Sequence, residues 1–181
     1  KIFDLSNCLL EVFIRQAPSA LAAQQYRVSV LYPENEDEVS LGVKNCNAQA
    51  HLMIFISRHF RDNKDQYYCL GRILSGTLYP SMPVLVKDPE SSSSGKQVEL
   101  PPDYYLPFGE NCIKFENICS GNLVVIPNIS NHISSTSTLS TYEQGQFIRF
   151  SNFATNFYLK VAVEPINASD LPKLIEGLQI I

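Results

Sequence analysis

The sequence predicts a mainly β protein. From His51 onward, short runs rich in β-branched and aromatic side chains follow one another: HLMIFIS, YYCLGRIL, PVLVK, QVEL, CIKF, NLVVI and FIRF. Turn-forming residues stand between them, at Asp62-Asn63-Lys64-Asp65, Pro80-Ser81, the tract Ser91 to Gly95, and Gly121-Asn122. Many short strands punctuated in this way are the pattern of a sandwich or barrel. They amount to a closed β module of about a hundred residues, a usual domain size.

Each flank carries helical spacing instead. Residues 3 to 16 (FDLSNCLLEVFIRQ) set Leu5, Leu9, Val12 and Phe13 on one face, with Asp4 as a candidate cap and Pro18 closing the run. The acidic stretch from Tyr32 to Glu38 (YPENEDE) reads as a solvated loop. Beyond the β region, FYLKVAVEP reads as a longer strand. NASDLPKLIEGL reads as a helix starting near Ser169 or Asp170, with Leu171, Leu174, Ile175 and Leu178 aligned. A strand followed by a helix opens an α+β unit. The chain begins at Lys1 without a Met and stops within an apolar helical pattern, so both ends are expected to pack on neighbours outside it.

Composition narrows the function. With 181 residues, 45% of them hydrophobic, there is material for a core that folds without staples. A net charge of −4 and only 14 Lys plus Arg argue against a free-standing nucleic-acid binder, because neutralising phosphates needs a concentrated basic face. RNA contact, if made, is local. Five cysteines (Cys8, Cys46, Cys69, Cys112, Cys119) without a CxxC pair suit neither a disulfide framework nor zinc, so a reducing cytoplasm or nucleus is expected. Asn128-Ile-Ser130 and Asn167-Ala-Ser169 match the glycosylation pattern by coincidence on this reading. No signal peptide or membrane-spanning run is visible, so no membrane partner is expected.

Catalytic patterns are weak. The lone Gly95-Lys96 follows four serines and precedes Gln97, which is not the loop that cradles nucleotide phosphates. His51, His59 and His132 lack a nucleophile turn, and a metal site between His51, His59 and Cys46 is a poor match. Cys112 and Cys119 are read as small strand hydrophobes facing inward, with a redox pair as the functional alternative. The serine tract reads as a flexible linker, with phosphorylation or binding as its alternative. Gly71-Arg72 is the more interesting pair: a bulge there would let backbone approach a partner while Arg72 points outward.

Three segments together resemble the elongation factor 2 family of translational GTPases. KNCNAQAHLMIFISRHF running into YYCLGRILSGTLYPSMPVLV resembles the first strands of that family's domain II, with the G-R-x-x-S-G-T turn at Gly71, Arg72, Ser75, Gly76 and Thr77. CSGNLVVI is similar to its C-x-G-N or P-A-G-N turn, at Gly121-Asn122. LKVAVEPINASDLPKLIEGL resembles the opening of domain III, and APSALAAQQYR before Leu31-Tyr32 fits the linker from the GTPase domain. The resemblance implies a connector over 1–40, a complete domain II β-barrel over 41–153, and the start of a ferredoxin-like α+β domain III over 154–181.

It also implies a non-catalytic docking and signal-transmission module, with GTP and Mg bound elsewhere in the parent and no cofactor here. The implied partners are the parent's GTPase and remaining domains, and ribosomal or small nuclear ribonucleoprotein RNA and proteins. Arg72, Ser75, Gly76, Thr77, Gly121 and Asn122 are the implied contact positions. Ser81 stands where the family usually has Gly, and TYEQGQFIRF replaces a longer A-H-N-M-type segment. Three members stay open: the spliceosomal small nuclear ribonucleoprotein GTPase, the ribosome-maturation GTPase, and a divergent elongation factor 2. A β-barrel protein-interaction domain without RNA contact is the alternative function.

Overall fold

The computed structural model describes residues 4–32, 37–61, 66–87, 95–109, 111–127, 129, 133, 136–148, 159 and 161–180. His132, the serines of 91–94 and the DNKD turn lie outside these residues. In chain order come α1 (Leu5–Gln16), α2 (Ala20–Leu31) and α3 (Glu38–Lys44). Then follow β1 (Met53–Arg61), β2 (Tyr67–Ser75), β3 (Thr77–Leu78), β4 (Pro83–Lys87), β5 (Lys96–Glu99), β6 (Tyr104–Phe108) and β7 (Asn111–Phe115). The remaining elements are β8 (Ile118–Cys119), β9 (Leu123–Pro127), β10 (Ser137–Ser140), a single 3₁₀ turn at Ala168–Asp170, and α4 (Leu171–Ile180).

The protein is mainly β, built on an antiparallel sheet of eight strands in the order β5-β4-β10-β1-β2-β9-β6-β7, with β3 and β8 as a small second sheet. Simple reach shows that the large sheet curls. Strands β5 and β6 stand six strand positions apart, about 29 Å if the sheet were flat. Residues 100–103 join them, and five Cα steps cover at most about 18 Å. The sheet therefore bends round until its first and seventh strands approach.

Its concave side holds one core, to which every strand but β7 contributes, including Ile54, Ile56, Ile73, Val86, Tyr104, Val124 and Leu139. Tyr104 is fully buried, and its hydroxyl donates to the Tyr79 carbonyl (2.9 Å), so its one polar atom is satisfied. That burial pushes the phenol up to about 12.

The first four residues of β1 are buried on both faces, which accounts for the unbroken MIFI run. Ile54 and Ile56 enter the concave core, whereas Met53 and Phe55 meet Tyr32, Val39, Val43, Leu74 and Ile148 in a second core beneath α2 and α3. Two side chains sew this layer together. The Gln24 amide donates to the carbonyls of Val43 and Leu74, joining α2 to α3 and to β2. Lys87, buried at the end of β4, donates to the carbonyls of Tyr142, Glu143 and Gly145. Burial lowers the basicity of this amine, with Glu143 opposing the shift.

Several sequence expectations change. The 32–38 stretch is not uniformly solvated: Tyr32 is buried, and its hydroxyl bonds Asp37 (3.2 Å). Asp37 in turn caps α3 by accepting from the Ser40 N–H (2.7 Å), so local capping starts a helix inside an acidic run. That helix crosses the boundary expected at 40/41. FIRF is not a strand at Phe147 and Ile148, because the Ile148 N–H is taken by the Thr138 hydroxyl (3.0 Å) and not by a backbone ladder. In FYLKVAVEP, Leu159 and residues 161–165 join no ladder, and Leu159, Val161 and Val163 are exposed; a strand exists only with a neighbour to pair with. Cys112 and Cys119 are exposed, not inward-facing, because β7 is an uncovered edge and β8 a two-residue bridge. All five cysteines are free.

Asp4 does stand at the N-cap of α1, but its side chain accepts from the Asn7 side chain instead of a backbone N–H. No helix among the described residues is long and apolar enough to cross a membrane.

Candidate interaction surface

The two turns that the sequence singled out meet in one corner. Strand β2 leaves its pairing with β9 at Arg72↔Leu123, and the chain then exchanges bonds with the β8–β9 turn. The Ile73 N–H donates to the Asn122 carbonyl (3.0 Å), and the Gly121 N–H donates back to Ile73 (2.8 Å). The Ser120 N–H donates to the Gly76 carbonyl (3.0 Å). Segments 73–76 and 120–122 thus form one hydrogen-bonded unit.

A third segment, 46–51, closes the corner from below. It accepts from the Gly76 N–H at Asn47 (2.8 Å), from the Thr77 hydroxyl at Ala48 (2.8 Å) and from the Ser75 hydroxyl at His51 (2.8 Å). The Ser120 hydroxyl donates to Cys46 (2.7 Å). Gly76 adopts φ +77°, and a Cβ there would sit 2.6 Å from the Leu52 Cα, so no side chain fits. At Gly121 (φ +87°) a Cβ would crowd Ala20, the first residue of α2, and the Cys46 sulfur.

These bonds divide the expected contact positions. Ser75 and Gly76 are buried, so they build the corner and offer no surface. Arg72, Thr77, Gly121 and Asn122 are half-buried and reachable. No bulge falls at Gly71-Arg72 itself: the register slips on β1 between Ile56↔Gly71 and Arg58↔Leu70, leaving Ser57 as the extra residue, and on β2 between Ile54↔Ile73 and Met53↔Ser75, leaving Leu74. Gly71 serves the interior, since a Cβ would lie 2.8 Å from Ile56 Cδ1 and 2.9 Å from Ile54 Cγ2. The close approach at Gly71 is thus to β1, not to a partner.

Arg72 lines a cleft of about 510 Å³ between α2 and the convex face of the sheet. Its floor is Phe55, Leu74 and Ile148, its helical wall includes Gln24 and Arg27, and the bulk of its surface is apolar.

Sequence reasoning passed over one further surface. Beyond the Ser57 bulge, β1 has left its pairing with β10 and runs along β2, which stays paired with β9, and on this stretch of β1 Ser57, Arg58, Phe60 and Arg61 are exposed. Phe60 stacks on Tyr68 (5.6 Å between centroids, 16° between planes), and Arg61 lies 5.2 Å over the Tyr67 ring. The signal in the sequence is RHFR followed by QYY, basic residues interleaved with aromatics.

The two described histidines have different neighbours. His51 sits by the Tyr142 ring (5.0 Å), and His59 Nδ1 is 3.3 Å from the Cys69 sulfur. Burial pushes the Cys69 thiol up to about 12, which keeps it a protonated packing group. Among the described residues no cluster of three or more His, Cys, Asp or Glu is arranged to hold a metal ion. The chain matches no known protein-family model.

Proposed function

We propose that this chain is the non-catalytic docking and signal-transmission module of a larger elongation-factor-2-like GTPase working on a ribonucleoprotein machine, ribosome or spliceosome. In this reading the β module is domain II, the N-terminal helices connect it to a GTPase domain that binds GTP and Mg, and residues 154–181 open a ferredoxin-like domain III. It acts inside the cell, in cytoplasm or nucleus, and performs no chemistry itself.

The observation that carries the reading is the corner. Two of the three family-like segments, the turns at 75–77 and 121–122, are bonded to each other and lean on the start of α2. A load on the exposed positions there passes to the helical layer as a rigid-body push. Arg72, Thr77, Gly121 and Asn122 form the proposed contact, and the Phe60–Tyr68 stack with Arg58 adds a platform suited to unpaired bases.

Co-sedimentation of the longer parent with purified small ribosomal subunits and with small nuclear ribonucleoprotein particles tests the proposal. It predicts binding to one of them that weakens steeply with salt and weakens further in Arg72→Ala and Asn122→Ala. Binding to neither particle overturns it.

A second reading, a protein-interaction domain without RNA contact, draws on the exposed apolar residues of α1 and α4 and on the −4 charge. Binding of a protein partner with a nearly flat salt response favours it.

A further inference from the structure

The cleft between α2 and the convex face of β1 and β2 carries three features that the fold itself leaves unused. The first is charge. Arg27 and Arg72 both line it, and neither has an ion-pair partner among the described residues; Arg27 only leans on its neighbour Tyr26, 5.5 Å from the ring centroid. In a chain of net charge −4, two unpaired guanidiniums at one apolar hollow mark a place for an anion.

The second feature is an orphaned acceptor. Gln24 is 3% exposed, and its amide nitrogen is committed to the carbonyls of Val43 and Leu74. Those two acceptors fix which end of the amide is nitrogen, because a flipped amide would set oxygen against oxygen. The oxygen, buried at the cleft, is left with no hydrogen-bond partner. Such an atom carries a desolvation cost, which a donor in the cleft would relieve once a shift of the amide opens the oxygen to it. The third feature is the floor of Phe55, Leu74 and Ile148, which takes an apolar side chain.

An anion, an N–H donor and an apolar group must therefore arrive together in about 510 Å³. The smallest unit of protein that carries all three around one Cα is a chain end: the terminal carboxylate, the last amide N–H and the last side chain. We propose that this cleft binds the free C-terminus of a partner polypeptide ending in an apolar residue. Its carboxylate rests on Arg27 and Arg72, its last N–H donates to the Gln24 amide oxygen, and its side chain covers Phe55, Leu74 and Ile148. An inorganic anion lacks the apolar group, and a nucleotide puts sugar and phosphate where the floor is dry. The proposal stands whichever machine the parent serves.

The probe is N-acetyl-alanyl-phenylalanine with a free carboxylate, titrated into the isotope-labelled 181-residue chain and followed by amide chemical shifts. The expected result is saturable shifts at residues 23–31, 55, 72–74 and 148. Affinity should fall about tenfold or more when the probe's carboxylate is replaced by a carboxamide, and again in R27Q and R72Q. Arg27 is exposed, so R27Q keeps the fold intact even if R72Q does not.

Equal binding of acid and carboxamide, shifts outside the cleft, or no binding at millimolar probe overturns the proposal. So does displacement of the shifts toward a single-stranded RNA oligonucleotide that binds this cleft while the peptide acid does not. Retained particle binding in a full-length R27Q parent, together with lost peptide binding, separates this site from the docking function.

Discussion

Helices α1 and α2 are both 12 residues long and follow one another in the chain, yet they have opposite fates. Helix α1 carries the stronger apolar face, and all of it is in solvent: Leu5, Leu9, Leu10, Val12, Phe13 and Ile14 are each at least half exposed. Helix α2 has a poorer pattern but lies on the sheet, because Ala23 is small enough for close approach and Gln24 spends its amide on two neighbouring carbonyls. An apolar stripe states that a helix needs a partner, whereas small residues and directed hydrogen bonds decide which partner it has.

The sharpest break of this contrast is Phe55→Ala, under α2 and α3. It removes a side chain 7% exposed in the second core, with an expected loss of about 3–5 kcal/mol in denaturant unfolding. A loss below ~1 kcal/mol would mean that the α2–α3 layer is not part of the cooperative unit. Next comes Gln24→Ala, which strands the Val43 and Leu74 carbonyls and is expected to cost about 1–3 kcal/mol. Gln24→Glu should be no better, since a carboxylate cannot donate to either carbonyl.

Burial supplies a finer comparison between Cys69 on β2 and Cys8 on α1. The folded Cys69 thiol sits near 12 against 9.0 ordinarily, so its contribution is complete below pH 9 and drains away as pH climbs toward 12. Melting temperature should fall over that window, less so in Cys69→Ala, with the difference between the two isolating Cys69 from the opposite drift of Lys87. In native protein an aromatic disulfide reagent should label Cys8, Cys112 and Cys119 promptly and reach Cys69 only on unfolding. The smallest effect is expected from Leu9→Ser and Phe13→Ser on α1, within about 0.5 kcal/mol of the parent chain. A larger loss would show that α1 is held down in solution.

The strands were legible where side chains did the speaking. HLMIFIS, YYCLGRIL, PVLVK and NLVVI all fall on β1, β2, β4 and β9, since β-branched runs state burial directly. Strand β10 was not, because STLS reads as loop by composition although all four residues are buried between β1 and β4. The short bridge β3–β8 has too few residues to show a period. Helix α3 hid behind its own acidic cap. At the corner, the sequence marked Arg72, Ser75, Gly76, Thr77, Gly121 and Asn122 as a group, and they are indeed neighbours. That Ser75 and Gly76 would be interior depended on segment 46–51 folding beneath them, a contact no local pattern encodes.

Lys87 has a chemical consequence of its own. Its ammonium is enclosed by main-chain oxygens of residues 142–145, so neither an acetyl donor nor a ubiquitin-loading enzyme reaches the amine while that loop is seated. Any acyl mark found on Lys87 would therefore record a time when the loop had lifted away. In mass-spectrometric footprinting with an amine-reactive label, this lysine reports the lifting of the 142–145 loop from inside the molecule.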